Sequence, residues 1–226
     1  MFFDEIASGY DSWYDTPLGR FADRVETALA FDLYKVRRGD LVLDAGCGTG
    51  NFTLKLAQKG ARVVGIDISP KMLALARIKA AREKQVTFHQ MDLYHLDFPP
   101  CHFDGIVSMA AFEFIHEPQK VFHQLMAILK PGGQLLIGTI NRDSAWGKRY
   151  LQQAKRPDSI FRHARFMNLK ELRDLDRQNL EKSGECLFIK PDTPEGKINM
   201  KEEERARVAG QGGFMATLWR KPRIAP

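Results

Sequence analysis

The sequence is poor in cysteine and has no long apolar run. Its three cysteines, Cys47, Cys101 and Cys186, are spread over 226 residues and form no CxxC pair, which excludes a disulfide framework and a zinc site. No stretch of 18 apolar residues is present, so no membrane-spanning helix is expected. The N-terminal segment MFFDEIASGYD carries acidic residues where a signal peptide needs basic ones. We therefore expect a cytoplasmic protein without a metal site.

The overall composition is that of a globular protein. Apolar residues make up 44% of the chain, charged residues 27% and aromatic residues 10%, which excludes intrinsic disorder and fibrous architectures. No internal repeat is visible. We expect one domain, 1–226, made of an N-terminal helical segment (1–37), a ligand-binding core (38–140), a helical cap (141–180) and C-terminal strands (181–226).

Positive charge is concentrated in one segment. The net charge of the chain is +6. Nine Lys or Arg residues and three acids lie between positions 141 and 173, so this segment alone contributes +6. A local excess of this kind suits nucleic acid, an anionic membrane or an acidic small molecule, although it is most often a solvated helix face.

Strand and helix patterns alternate through the middle of the chain. Five short apolar runs predict buried strands at 40–46, 61–67, 85–90, 103–109 and 132–140. Helices are predicted between them, over 49–59, from the N-cap Ser69 to about residue 84, and along an apolar stripe of Val121, Leu125, Ile128 and Leu129. The alternation predicts an α/β fold with a parallel sheet between layers of helices.

The flanking segments are less regular. An apolar stripe of Phe21, Val25, Ala28 and Leu29 predicts an N-terminal helix, and helix signals lie at 145–155 and 168–180. Two further strands are predicted, over 184–190 and 212–221, on either side of a polar insert.

A glycine-rich turn follows the first strand in the sequence VLDAGCGTGNF. Gly46, Gly48 and Gly50 let the backbone turn tightly and let a ligand approach the main chain, and Asp44 precedes them. Open α/β sheets bind ligands at this edge. A dinucleotide-binding GxGxxG motif would require its third glycine at position 51, which is Asn51. A nicotinamide dehydrogenase is therefore disfavoured.

The pattern DxGxGxG resembles motif I of the class I S-adenosylmethionine-dependent methyltransferases. The resemblance continues through GID, QMDL, FDGIVSMAAFEFI and LKPGGQLLIGT, in order over residues 38–140. It is closest to the small-molecule "type 11" branch of menaquinone and ubiquinone biosynthesis. The family implies a Rossmann-like, doubly wound, seven-stranded sheet that is mostly parallel, with an antiparallel last strand and a helical cap inserted after strand 5.

The resemblance implies S-adenosylmethionine as cofactor, with S-adenosylhomocysteine as product. In the family an acid at the end of the second strand binds the ribose hydroxyls, which corresponds to Asp67. Ile68 would then pack on the adenine, and Asp92 with Leu93 would lie near its amino group. Cys47 is a spacer in the loop rather than a nucleophile. The cofactor-binding set is Asp44, Gly46, Cys47, Gly48, Gly50, Asp67, Ile68, Asp92, Leu93, Ser108, Tyr10 and Tyr14.

Catalytic and substrate residues are less determined, because methyl transfer from a sulfonium mainly needs alignment and exclusion of water. A base is required only when the acceptor must lose a proton. Glu113 and His116 follow the fourth strand and are candidate bases, although Glu113 could equally cap the next helix. In the family the cap lies over the methyl end of the cofactor, so the candidate substrate-binding residues are Arg142, Trp146, Arg149, Arg162 and Arg165.

These features favour methyl transfer to a small molecule that is anionic or aromatic. An RNA-modifying enzyme that uses the basic cap, and a catalytically silent cofactor-binding regulator, are the alternatives. The [DNS]PP[YFW] motif of enzymes that methylate amino groups of nucleic-acid bases is absent after the fourth strand. The acceptor atom and the oligomeric state stay open.

Overall fold

One mixed sheet forms the centre of the computed structural model, which describes residues 2–208 and 210–223. Within these residues the sheet has seven strands in the order 3-2-1-4-5-7-6. Neighbouring strands among β1 to β5 pair in parallel, and β7 pairs antiparallel with both β5 and β6. The predicted fold class is confirmed. The strands are β1 Leu41–Ala45, β2 Arg62–Asp67, β3 Val86–Gln90, β4 Phe103–Met109, β5 Leu129–Ile140, β6 Leu180–Cys186 and β7 Phe214–Arg220.

The strand order reverses between β1 and β4, and this reversal opens a crevice beyond their carboxyl ends. Helices cover both faces of the sheet. They are α1 Phe2–Tyr10, α2 Pro17–Leu33, α3 Asn51–Gln58, α4 Pro70–Lys79, α5 Pro118–Ile128, α6 Ala145–Gln153, α7 Leu169–Arg173 and α8 Met200–Arg207. None of these helices is both long and apolar enough to span a bilayer.

The central strands are apolar because both of their faces are buried. Leu43 and Ile106 pack with α5 on one side, whereas Val42 and Val107 pack with α2 and α3 on the other. Burial of each such side chain contributes about 1.5–3 kcal/mol. Ser69 caps α4 by accepting a hydrogen bond from the Met72 amide, as its position before Pro70 predicted.

The outer elements differ from their predicted bounds. The strand predicted at 184–190 occupies Leu180–Cys186, because Leu187 has a φ of +62° and cannot continue an extended strand. The helix signal at 168–180 yields only Leu169–Arg173, since the chain then turns at Asp176, which accepts hydrogen bonds from the amides of Gln178 and Asn179. The polar insert contains α8, and α1 has no counterpart among the predicted helices.

Two aspartates attach the N-terminal segment to the rest of the domain. Asp4 accepts hydrogen bonds from the Ser69 hydroxyl at 2.5 Å and the Lys71 amide at 3.3 Å. Asp11 accepts hydrogen bonds from the side chains of Thr49 at 2.8 Å and Asn51 at 3.0 Å, and its second oxygen lies 2.6 Å from Lys79 Nζ. These contacts hold α1 beside the glycine loop and α4.

Asp11→Ala should loosen the attachment of the N-terminal segment, because it removes the contacts of Asp11 with Thr49, Asn51 and Lys79. The sheet should stay folded, since these contacts lie outside its apolar core. Hydrogen exchange measured by mass spectrometry should become faster for amides 3–14 and stay unchanged for β1, β4 and β5. Asp15→Ala, an exposed acid in the same segment, is the matched control. Equal exchange in both variants would show that Asp11 does not hold the segment.

Candidate active site

Three adjoining cavities fill the crevice at the carboxyl ends of β1, β2 and β4. Cavity A, of about 240 Å³, lies against the glycine loop and the end of β2. Cavity B, of about 60 Å³, lies between the glycine loop and α2. Cavity C, of about 380 Å³, lies under the cap. Tyr10 and Ala110 line all three, so the cavities meet at these two residues.

The glycine loop gives cavities A and B a shared backbone wall. Gly46 and Gly48 have φ values of +79° and +52°, which glycine adopts without strain. The amides of Gly46 and Cys47 donate to the Ile66 carbonyl at 2.8 and 2.9 Å, so the loop folds over the end of β2. A Cβ added to Gly48 would meet no atom within 4 Å. The missing side chain therefore leaves free space for a ligand.

Asp67 is held rigidly where β2 reaches cavity A. Its Oδ2 accepts a hydrogen bond from the Gly48 amide at 2.8 Å, and its Oδ1 accepts one from the Ser69 amide at 2.9 Å. Burial raises the pKa of Asp67, although these amides oppose the rise. A carboxylate has about four acceptor positions. Asp67 can therefore bind a pair of hydroxyls in cavity A in addition to the two amides.

Apolar side chains form the remaining walls of cavity A. Ile68 is 36% exposed although it is large and apolar, and it lines the cavity with Met72 and Leu93. Asp92 also lines the cavity, where its Oδ1 is oriented by the Tyr94 amide at 2.9 Å. A flat apolar ring with a polar edge fits this combination.

Other residues of the predicted cofactor-binding set lie deeper. Asp44 and Cys47 line cavity B, where Asp44 accepts a hydrogen bond from the Thr53 hydroxyl at 2.5 Å. Burial raises the pKa of Asp44 to about 7 and that of the Cys47 thiol well above its usual value, so the thiol stays protonated. Gly50 and Ser108 are not among the described residues that line the three cavities. Gly50 caps α3, and the Ser108 hydroxyl donates to the Ala45 carbonyl at 2.8 Å.

Cavity C has an aromatic wall with two carboxyl groups in it. Trp146, from the predicted substrate-binding set, is 4% exposed and donates its indole N–H to the Ile189 carbonyl at 2.7 Å. The carboxyl groups are those of Glu26 and Glu113. The aromatic residues of the wall are Phe3, Tyr10, Trp13, Tyr14, Phe114, Trp146, Tyr150, Phe161 and Phe214.

Glu113 lies in the short 3₁₀ turn that follows β4, and it is 2% exposed. Its Oε2 accepts a hydrogen bond from the Thr139 hydroxyl at 2.9 Å. Burial raises the pKa of Glu113 to about 7. A carboxyl group with this pKa can exchange a proton with a ligand near neutral pH.

Glu26 lines both cavity B and cavity C, and the sequence reasoning did not identify it. Burial raises its pKa to about 8, with further contributions from Asp23 and Glu113. Lys55 lowers the pKa, but its ammonium group is bound to Asp23 and Thr27. The sequence did contain a signal for Glu26: it is an acid next to Val25, on the apolar side of the predicted N-terminal helix.

The candidate base His116 and most of the predicted substrate-binding arginines are not among the residues that line cavity C. His116 is exposed, and its carbonyl accepts a hydrogen bond from the Arg165 side chain at 2.9 Å. Arg142 is ion-paired with Glu171 at 2.8 Å, and Arg162 is exposed and donates to a carbonyl of its own loop. Arg149 lines the cavity. The cap turns its aromatic side chains inward, and its charged groups remain in water where their solvation is retained.

The raised pKa of Glu26 predicts a pH-dependent stability. Below pH 4.5 the carboxyl group is protonated in both the folded and the unfolded state. Between pH 4.5 and about 8 only the unfolded state ionises, so folding loses up to about 1.4 kcal/mol per pH unit. Glu26→Gln should therefore lose less stability than the wild type as pH rises through this window. Urea unfolding at both ends of the window measures the difference, with exposed Glu204→Gln as control, and parallel pH profiles would contradict the assignment.

Comparison with known proteins identifies the family. A family model described as a methyltransferase domain matches residues 43–137. The uncharacterized protein MJ1123 of Methanocaldococcus jannaschii is 31% identical over 218 residues, which cover 95% of this chain and 96% of that protein. Demethylmenaquinone methyltransferase of Thermus thermophilus is 37% identical over 138 residues, and the match spans 62% of its length.

A solved structure shows the same fold over nearly the whole chain. It is an S-adenosylmethionine-dependent methyltransferase of Thermotoga maritima, described as a possible histamine N-methyltransferase. Its TM-score is 0.76 at 23% identity, and the alignment covers 97% of this chain and 98% of that one. The sequence motifs, the sheet topology and these matches lead to one conclusion: the chain belongs to the class I S-adenosylmethionine-dependent methyltransferases.

Proposed function

We propose that this enzyme methylates a small molecule that binds in cavity C. The observation that supports this assignment is the meeting of the three cavities at Tyr10 and Ala110. Cavity A has the shape and polar groups for the adenosine part of the cofactor, and the smaller cavity B lies on the other side of the glycine loop for the amino-acid part. A molecule in cavity C would then face the junction at which the methyl group is presented.

The residues present fit this cofactor. S-adenosylmethionine supplies a methyl group on a positively charged sulfur, which makes the group reactive without further activation. Asp67 would accept hydrogen bonds from the ribose hydroxyls, Ile68 and Leu93 would enclose the adenine, and Gly48 leaves room beside the ribose. The apolar wall of cavity C excludes water, and the shared residue Tyr10 aligns the two ligands.

The lining of cavity C supports a small acceptor over RNA. An RNA-modifying enzyme would need basic residues that contact phosphates next to its acceptor site. Arg149 is the one basic residue among the described residues that line cavity C, whereas Arg162 and Arg165 are exposed outside it and Arg142 is ion-paired with Glu171. The cap contributes mainly aromatic surface to the cavity. We infer that a compact molecule with an apolar body is the acceptor.

Asp67→Ala should weaken the binding of S-adenosylhomocysteine by about 1.5–3 kcal/mol, because hydrogen bonds to a charged group are lost. Isothermal titration calorimetry measures the change. Asp97→Ala, which removes an exposed acid outside the three cavities, should bind as the wild type does. Unchanged affinity in the Asp67 variant would remove the ribose assignment.

Gly48→Val should abolish cofactor binding because its side chain would occupy cavity A. Gly39→Val is the control for the backbone strain that valine causes at a positive φ. Gly39 has a φ of +88° and open space around it, and it lies in the turn before β1. Circular dichroism and calorimetry on both variants separate folding from binding. Normal binding by a folded Gly48→Val variant would place the cofactor elsewhere.

A further inference from the structure

We propose that the acceptor is an amine, which binds in cavity C as an ammonium ion between the carboxylates of Glu26 and Glu113 and loses a proton to Glu26 before it is methylated. This inference rests on the proposed function, since it assigns the chemistry of the molecule in cavity C. It replaces the anionic acceptor that the basic segment of the sequence favoured.

The charges around cavity C support a cation. Glu26 and Glu113 both line the cavity, whereas Arg149 is the one basic residue among the described residues of its wall. Arg149 is exposed, and its Nη1 lies 3.4 Å from the Pro191 carbonyl. An anionic acceptor would be repelled by either carboxyl group when that group ionises. A cation would stabilise the ionised form of both.

Glu26 lacks a partner of its own. Within the described part of the chain its carboxyl group takes part in no hydrogen bond and no ion pair, although it is only partly exposed. A buried carboxylate without a partner is costly, so the free group stays protonated near neutral pH, and it releases its proton to water when a cation binds beside it. An ammonium group carries a positive charge and three N–H donors. It would satisfy Glu26 and leave a donor for Glu113.

The aromatic wall adds to the attraction for a cation. The rings of Trp13 and Tyr14 pack edge to face with centroids 5.1 Å apart, and those of Tyr10 and Tyr14 lie 6.0 Å apart. Burial raises the pKa of Tyr10 to about 12, so its ring remains neutral. Ring faces attract ammonium ions, and the attraction is stronger when water is excluded. Cavity C thus combines aromatic rings with carboxyl groups.

The reaction needs a base, because an ammonium nitrogen has no lone pair. The N–H proton moves to the Glu26 carboxylate, and the neutral nitrogen then forms a bond to the methyl carbon. The carbon–sulfur bond breaks with its electron pair remaining on sulfur, so S-adenosylhomocysteine leaves uncharged. The product is a methylated ammonium ion, and Glu26 returns one proton to water. A base pKa near the operating pH suits this transfer.

The test compares isosteric probes on the enzyme saturated with S-adenosylhomocysteine. Phenethylamine, 2-phenylethanol and phenylacetate share an aromatic body and differ in charge, and hexylamine with hexanol forms a second pair. Quenching of the fluorescence of Trp13 and Trp146, both in the wall of cavity C, reports binding near neutral pH. We expect each amine to bind at least about tenfold more tightly than its alcohol, and phenylacetate to bind most weakly.

Two isosteric variants test whether Glu26 and Glu113 cause the preference for amines over alcohols. Glu26→Gln should reduce amine affinity by about tenfold or more, leave alcohol affinity unchanged and lower kcat for methyl transfer to amines. Glu113→Gln should reduce amine affinity with a smaller effect on kcat. Exposed Glu204→Gln should match the wild type. Thermal unfolding tests whether each variant is folded, and replacement of a protonated carboxyl group by an isosteric amide is not expected to destabilise the protein.

The outcomes separate this inference from the proposed function. Failure of the wild type to bind S-adenosylhomocysteine would overturn the proposed function itself. Normal cofactor binding combined with equal or tighter binding of phenylacetate, or with no amine bound more tightly than its alcohol, would overturn only the amine acceptor. If Glu26→Gln weakened cofactor binding and left amine binding intact, Glu26 would belong to the cofactor site and the inference would be wrong.

Discussion

The hydrogen bond from the Gly48 amide to the Asp67 carboxylate, 2.8 Å long, joins the ends of β1 and β2. It forms because Gly48 adopts a φ of +52°, which turns its amide towards β2. The same contact fixes the orientation of Asp67, and the missing side chain at Gly48 leaves free space beside the loop. The backbone wall, the carboxylate and the start of α3 at Asn51 are therefore positioned by one turn. Cavities A and B exist on either side of that turn.

The sheet by itself leaves this crevice open, and segments distant in sequence close it. Tyr10 comes from the end of α1, Glu26 from the middle of α2, and Trp146 from the cap. Asp11 holds the N-terminal segment at the glycine loop through Thr49 and Asn51. The acceptor cavity is consequently assembled largely from segments outside the family motifs, together with Ala110, Glu113 and Phe114 from the motif that contains β4. That assembly explains how enzymes with one cofactor site differ in acceptor.

The sequence predicts the elements whose pattern reflects burial and misses those that depend on tertiary pairing. The strands β1, β2, β4 and β5 are recognisable because both of their faces are buried, and Ser69 marks the start of α4 by its own hydrogen bond. The strand β6 has the polar sequence LEKSGEC at the edge of the sheet, where backbone pairing with β7 decides its position. Leu187 looks like part of a strand, but its φ of +62° ends the strand before it. In the site, the glycine loop and Asp67 follow from the motif, whereas Glu26 depends on how α2 is rotated.

A count of the charged residues in the sequence does not predict the charge of the ligand, because buried and exposed charges differ in strength. The basic residues of the cap outnumber the acids of cavity C, yet Arg142 is paired with Glu171 and Arg162 is exposed to water, which screens it over about 8–10 Å at physiological salt. Glu113 is 2% exposed, so little water lies between it and a bound molecule. At equal distance, a charge acts several times more strongly in such surroundings than in water. The two acids that line cavity C therefore favour a cationic ligand more than the nine bases of the cap favour an anionic one, since Arg149 is the one base of the nine in the described lining.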